Sequence, residues 1–78
     1  MCGVGGDLFA MVWNEGDLAG LNSSGRLPSG AKLEGDRVPR HGVGSATVPG
    51  AVAGWKALLD RYGTIPLAEL AKPAIRLA

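Results

Sequence analysis

The stretch that decides the fold is GGDLFAMVWNEGD, residues 5–17. In an extended chain, successive side chains point to opposite faces, and here both faces of residues 8–13 are apolar. The two sets are Leu8, Ala10 and Val12 on one side and Phe9, Met11 and Trp13 on the other. A strand without a polar face is normally covered on both sides. The following residues, 14–17, are typical of a hairpin connection, because Gly16 adopts a positive φ at no steric cost. A shorter second strand is predicted to run to about Leu21.

The middle of the chain, residues 22–44, is polar and rich in glycine and proline. A short helix is predicted near residues 31–34, and a short extended segment at residues 45–48. A segment of this length between regular elements is either a linker or a functional loop.

The clearest helical pattern covers residues 51–62, with a charged face opposite an apolar stripe. The stripe consists of Ala51, Val52, Trp55, Leu58, Leu59 and Tyr62. Gly63 is predicted to end this helix in the left-handed conformation. Thr64 is predicted to cap a last helical region, with Pro66 near its first turn and Pro73 breaking or restarting it.

This order of elements (two strands, a loop, a short strand and two helices) predicts a layered α+β fold. The 78 residues allow at most one domain, and their abundance of apolar residues resembles the interior of a larger protein. The helical pattern at residues 73–78 also stops without a capping residue. We therefore expect residues 1–78 to be part of a single domain, a fragment of a longer protein.

Composition argues against several function classes. The chain has 8 Lys plus Arg and 7 Asp plus Glu, a net charge of +1, which provides no field for steering nucleic acid. No stretch approaches the roughly 18 apolar residues that a membrane-spanning helix needs. The single cysteine, Cys2, excludes an internal disulfide framework and is interpreted as a small buried apolar residue.

The glycine cluster at residues 3–6 lacks the features of a nucleotide site. No Lys-Ser or Lys-Thr pair follows it, and the strand comes after the glycines instead of before them. Close backbone packing is the interpretation we favour for it. His41 has no acid or cysteine at ligand spacing, so we predict no metal site and no cofactor, and an exposed or hydrogen-bonded loop histidine.

The remaining reactive side chains also have structural interpretations. Asp7, at the strand entrance, is predicted to accept a backbone hydrogen bond. The serines at positions 23, 24 and 45 lack the strained Gly-x-Ser-x-Gly turn of a nucleophile, so no catalytic residue is assigned. The aromatic residues, Phe9, Trp13, Trp55 and Tyr62, are predicted to belong to the core instead of a stacking platform.

Arg26 is the one candidate binding residue. It follows Gly25 in the loop that the second strand delivers, so a rigid hairpin is expected to present it. Its guanidinium has a planar set of donors that matches a carboxylate at any pH. The alternative is an ordinary surface arginine.

At these residues the chain resembles the γ-glutamyltranspeptidase family. The matching blocks are GVGGDLFAMVW (3–13), LNSSGRLP (21–28), TVPGAVAGW (47–55) and RYGTIPLAELAKPAIRLA (61–78). Residues 29–44 match least well. The last two blocks are specific as a set, although each is weak alone.

The resemblance implies a fragment of an N-terminal nucleophile hydrolase, an αββα sandwich, in the early part of the large subunit. Such a precursor cuts itself, and the new N-terminal Thr of the small subunit is the nucleophile, outside this chain. The resemblance further implies transfer or hydrolysis of γ-glutamyl groups of glutathione and related amides, with Arg26 binding the substrate's α-carboxylate. The partners implied are this small-molecule substrate and the small subunit, and the fragment alone is expected to be inactive.

Two alternatives remain at this point. Relatives within the family act on acyl amides such as cephalosporins. The second alternative is that the chain is a non-catalytic structural or interaction fragment. In that case Trp55, Leu58 and Tyr62 would dock a partner from one face of a helix.

Overall fold

The computed structural model describes residues 3–32 and 35–78. Its elements are strands β1 (Leu8–Asn14) and β2 (Asp17–Ser23), a 3₁₀ turn (Val43–Ser45), and helices α1 (Ala51–Tyr62) and α2 (Leu67–Leu77). The strands form an antiparallel pair, α1 packs against both strands, and α2 contacts α1. The α+β prediction is therefore confirmed.

The hairpin has the tight connection that the sequence predicts. Leu8 pairs with Ser23 and Asn14 with Asp17, so that only two residues form the turn. Both have positive φ, 51° at Glu15 and 84° at Gly16, the combination whose twist matches that of the flanking strands. The second strand is longer than predicted and ends at Ser23, where it delivers the loop containing Arg26.

Among residues 3–32 and 35–78, only one face of the hairpin is covered. Leu8, Ala10 and Val12 are half-buried, whereas Phe9, Met11 and Trp13 are 67%, 79% and 70% exposed. The prediction that β1 is buried on both faces is therefore wrong for this chain, as is the assignment of Phe9 and Trp13 to its core. The reason is that α1 supplies a layer on one side only. A covering layer contributed from outside these residues stays a prediction.

Helix α1 is seated on the hairpin through small residues. Ala51 and Gly54 are buried, and a Cβ atom added at Gly54 would lie 2.6 Å from Cδ2 of Leu8 and 2.8 Å from Cβ of Ser23. Such distances are shorter than real side chains permit, so glycine sets how closely the helix approaches. The predicted apolar stripe is partly confirmed. Its half-buried members are Leu58, Leu59 and Tyr62, and its exposed members are Val52 and Trp55.

The N-terminus of α1 is hydrogen-bonded to the residues at the open end of the hairpin, just before β1 and at the end of β2. The carbonyl oxygen of Gly6 accepts hydrogen bonds from the amides of Gly50 (3.1 Å) and Ala51 (2.9 Å). The hydroxyl of Ser23 donates to the carbonyl oxygen of Gly50 at 2.7 Å. The first amides of a helix lack partners within it, so the Gly6 carbonyl replaces a side-chain cap here.

Two predictions in the middle of the chain are wrong. Residues 45–48 form no strand, since Ser45 ends the 3₁₀ turn and Ala46 is extended without a ladder partner. Ala31 and Lys32 are not helical, and the other half of the predicted short helix, residues 33–34, lies outside the described residues. Close packing is also wrong for Gly3 and Gly5, where an added Cβ would meet only open space.

The helix ends differ from prediction as well. Gly63 is extended (φ −76°, ψ 151°), not left-handed, while its amide still bonds to the Leu59 carbonyl at 2.8 Å. Thr64 does not cap α2, because the helix begins only at Leu67 and Pro66 occupies the capping position. The carbonyl of Pro66 accepts the hydrogen bonds of the first helical amides. Pro73 does not interrupt α2. It removes one amide donor, while the turns before and after it keep their hydrogen bonds.

The loop after β2 crosses the segment that precedes α1. The amide of Val48 donates to the carbonyl oxygen of Arg26 at 2.9 Å. One residue earlier, a Cβ atom added at Gly25 would overlap the carbonyl oxygen of Val48. The two backbones can lie this close only because position 25 has no side chain.

The described chain has little interior of its own. Ala51 is the one buried apolar residue among the described positions. The radius of gyration is 15.8 Å, whereas a compact domain of this length has about 11.5 Å. The apolar residues of the hairpin therefore need a further layer to become a core.

We expect the isolated 78-residue chain to lack a cooperative fold, because one-sided burial leaves too little apolar area removed from water. It should bind a dye specific for exposed apolar surface, tend to aggregate, and unfold over a broad temperature range. Circular dichroism on heating and dye fluorescence measure this. A sharp transition of the monomeric chain would contradict the expectation.

We expect Gly25→Ala, made in the complete gene product, to destabilise the protein by about 2 kcal/mol or more, because backbone must move to admit the methyl group. Calorimetry measures the shift in melting temperature. The matched control is Gly30→Ala, where an added Cβ meets open space, so the change should be within about 0.5 kcal/mol. Equal melting temperatures for the two variants would show that the crossing is not as close as described.

Candidate functional site

Arg26 lies three residues beyond the end of β2 and is exposed. Its carbonyl oxygen is held by the Val48 amide, so its backbone is fixed although its side chain is free. The guanidinium makes no hydrogen bond or ion pair to any residue in the ranges 3–32 and 35–78. An arginine of this kind keeps all its donors available for a ligand.

The residues beside Arg26 are held by the carboxylate of Asp7. Oδ1 of Asp7 accepts the Gly25 amide at 3.1 Å, and Oδ2 accepts the Ser24 hydroxyl at 3.1 Å. The hydroxyl of Thr47 reaches the same carboxylate from the segment before α1, 3.2 Å from Oδ1 and 3.5 Å from Oδ2. We call Asp7, Ser24, Gly25 and Thr47 the Asp7 cluster.

A further local hydrogen bond shapes the same turn. The amide of Ser24 donates to Oδ1 of Asn22 at 3.0 Å, a short-range contact typical of asparagine before a turn. Together with the Asp7 cluster, it leaves the backbone of residues 24–26 bonded at each position. The bond at Arg26 is the one that its carbonyl accepts from the Val48 amide.

The hydrogen bond from the Gly25 amide is the largest influence on Asp7 and lowers its pKa below the ordinary value of 3.8. Desolvation, the next largest influence, opposes this, and the hydroxyls of Ser24 and Thr47 lower the pKa further. A lowered pKa in the folded state means that the ionised carboxylate stabilises the cluster. This contribution is fully present above the ordinary pKa and is lost as the pH falls through the lowered one. The cluster is therefore intact at neutral pH.

The prediction that Asp7 accepts a backbone hydrogen bond is confirmed, but its partner is 18 residues away instead of in the local turn. Sequence reasoning did not find the roles of Ser24 and Thr47. Ser24 lies opposite Asp7 when the hairpin pairing is continued one step beyond Leu8 and Ser23, whereas no spacing rule connects Thr47, 40 residues from Asp7. Ser23, examined as a nucleophile, is bonded to the Gly50 carbonyl instead.

The other candidates stay apart from this site. His41 is exposed in the loop, and Cys2 lies outside the described residues. Within the described ranges, no three His, Cys, Asp or Glu side chains are grouped so that they could hold a metal ion. None of the helices described is both long and apolar enough to span a bilayer.

Two apolar grooves flank α1, and neither includes Arg26 in its lining. The smaller, about 140 Å³, separates the helix from the hairpin between Val12, Leu21 and Leu58. The larger, about 580 Å³, lies between α1 and α2 and is lined by residues such as Trp55, Leu59 and Leu70. Arg26 therefore lies outside both of these grooves.

Comparison with known proteins gives consistent relatives. The Glutathione hydrolase-like YwrD proenzyme of Bacillus subtilis (strain 168) is 39% identical over an alignment of 83 positions. The alignment covers 95% of this chain and 15% of that protein. The Glutathione hydrolase proenzyme of the same organism is 34% identical over an alignment of 90 positions, which covers 100% of this chain and 15% of that protein. The Acylase ACY 1 proenzyme of Pseudomonas sp. (strain SE83) is 51% identical over 43 residues, 55% of this chain and 8% of that protein.

The chain therefore spans about 15% of the length of the two glutathione hydrolase-type relatives. No solved structure matches it significantly. The sequence profile described as Gamma-glutamyltranspeptidase matches all of residues 1–78. On this match and these relatives, the chain belongs to the γ-glutamyltranspeptidase family.

Proposed function

We propose that these residues form part of an enzyme that transfers or hydrolyses the γ-glutamyl groups of glutathione and related amides. In this proposal, Arg26 binds the α-carboxylate of the glutamyl group. Family membership supports the reaction class, and two relatives are glutathione hydrolase-type proenzymes by name. The remaining support comes from the geometry at Arg26.

The observation that carries the role of Arg26 is a free guanidinium on a fixed backbone. An arginine that already paired with a neighbouring acid would have to break that pair before binding a substrate. Arg26 has no such pair among the described residues, and its carbonyl is bonded to Val48. Less conformational freedom is then lost on binding, which is the benefit of a preorganised site.

The catalytic step is proposed to occur elsewhere in the precursor. No nucleophile with an activating base is found among the described residues, whereas acyl transfer requires a nucleophile, a base and donors for the oxyanion. We assign these to a small subunit that begins with a catalytic Thr released by self-cleavage. The exposed face of β1, with Phe9, Met11 and Trp13, is proposed to pack inside the αββα sandwich of an N-terminal nucleophile hydrolase.

We expect Arg26→Ala in the complete gene product to lower kcat/KM for γ-glutamyl-p-nitroanilide roughly ten- to a hundredfold, because a hydrogen bond to a charged group contributes about 1.5–3 kcal/mol. Arg26→Lys should also be poor, since an ammonium cannot reproduce the planar pair of donors. Release of p-nitroaniline measures both variants.

The matched control is Arg37→Ala, which removes another exposed arginine of the same glycine- and proline-rich loop. Its kinetics should stay close to those of the unmodified enzyme. If Arg26→Ala behaved like Arg37→Ala, Arg26 would be an ordinary surface residue and the proposed binding role would be wrong.

A second candidate is hydrolysis of acyl amides that lack the α-amino group. The 51% identity to an acylase proenzyme over residues of this chain favours it. Glutaryl-p-nitroanilide distinguishes the two, because it has the same carboxylate and amide as the γ-glutamyl compound and no amino group. A higher kcat/KM for the γ-glutamyl compound supports the first proposal, and a higher value for the glutaryl compound supports the acylase.

A further inference from the structure

The Asp7 cluster joins three separated parts of the chain at one carboxylate. Asp7 precedes β1, Ser24 and Gly25 follow β2, and Thr47 precedes α1. Each of the last three donates a hydrogen bond to Asp7 within 3.1–3.2 Å. Ser24 and Gly25 continue the pairing of β1 with β2 just beyond Leu8 and Ser23, whereas no ladder connects the segment of Thr47 to the hairpin.

The same contacts enclose the backbone of Arg26. Gly25, on its N-terminal side, is bonded to Asp7. Val48, which follows Thr47, is bonded to the carbonyl of Arg26 itself. The position of Arg26 is therefore set by two segments, both of which Asp7 holds.

Asp7 does not neutralise the arginine that it positions. Both of its oxygens are occupied by the Gly25 amide and the two hydroxyls, and no ion pair joins Asp7 to Arg26. Its carboxylate charge is directed at donors of the loop, and the guanidinium remains free. An acid paired with the arginine would instead compete with a substrate carboxylate.

We infer that Asp7 is a positioning residue for substrate binding: through Ser24, Gly25 and Thr47 it holds the Arg26 loop where the guanidinium meets the α-carboxylate. This inference rests on the proposed function of Arg26. It adds a residue that touches no substrate and acts only through the loop. The chemical class of ligand is the same, a small acyl amide with a free carboxylate.

The test compares Asp7→Ala with the unmodified enzyme, both as complete gene products, using γ-glutamyl-p-nitroanilide. We expect KM to rise about tenfold, the effect of losing one or two hydrogen bonds that hold the binding loop. The value of kcat per active site should stay within about twofold, because the catalytic groups are untouched. Asp7→Asn should recover part of the loss, since an amide oxygen still accepts the Gly25 amide.

Two further variants make the test independent of folding defects. Thr47→Val removes one exposed donor to Asp7 and should raise KM by a few-fold, while Thr47→Ser, which keeps a hydroxyl, should not. The matched acid control is Asp17→Ala. Asp17 is exposed at the other end of the hairpin and has no side-chain hydrogen bond to any residue in the described part of the chain. Its KM should be unchanged.

The double variant Asp7→Ala with Arg26→Ala tests whether Asp7 acts on substrate binding only through Arg26. If Asp7 acts only through Arg26, the double variant should have the KM of Arg26→Ala alone. Additive effects would overturn the inference. So would normal KM values for Asp7→Ala and Thr47→Val beside a raised KM for Arg26→Ala, an outcome that leaves the proposed function intact. A normal KM for Arg26→Ala would overturn the proposed role of Arg26 in substrate binding. A lower melting temperature of Asp7→Ala with unchanged KM would indicate a purely structural role and would also overturn the inference.

Discussion

The arrangement of this chain depends on the close crossing of two backbones, residues 24–26 after the hairpin and residues 47–48 before α1. The crossing requires a position without a side chain, and Gly25 provides it against the carbonyl of Val48. Once the backbones are this close, the Val48 amide reaches the Arg26 carbonyl and the Thr47 hydroxyl reaches Asp7. A larger residue at position 25 would push the two backbones apart and would therefore break both of these hydrogen bonds.

The consequence is a division of roles between two oppositely charged residues. The carboxylate of Asp7 is used within the chain, where an amide and two hydroxyls satisfy it. The guanidinium of Arg26 is left unused by the described residues and faces outward. Such a cation on a fixed backbone favours carboxylate binding, because the cost of ordering the loop backbone is then met in part before the ligand arrives.

We propose that the open apolar surface packs against other parts of a longer precursor. A hairpin with Phe9, Met11 and Trp13 on its uncovered face, and an apolar groove beside Trp55, is an unusual surface for 78 residues that would fold alone. In relatives about seven times as long, the same segment occupies about 15% of the sequence. The hairpin thus carries both the exposed apolar face and the loop with Arg26. We propose that the apolar face packs in the protein interior and that the loop forms part of the substrate site.

Local rules were sufficient for the regular elements. An apolar run followed by a glycine-containing connection at residues 14–17 predicted the hairpin, although β2 is longer than expected, and helical periodicity gave α1 from residue 51 to residue 62. The family was also evident in the sequence, because its blocks keep their order through most of the chain. Local rules failed where competing contacts decided the outcome, as at Gly63, which is extended, and at Pro73, which α2 accommodates.

The candidate site was predicted only in part. Arg26 could be identified from its residue type and its place after a strand, since both are properties of neighbouring positions. The complete set of residues that holds it could not, because Thr47 is 40 positions from Asp7 and neither periodicity nor hairpin register carries information over that distance. The sequence by itself determined the hairpin, helix α1 and the family, and it singled out Arg26 as the candidate binding residue. The tertiary structure decided which hydroxyls and amides surround the Asp7 carboxylate, since hydrogen bonds form between groups that are close in space, wherever they lie along the chain.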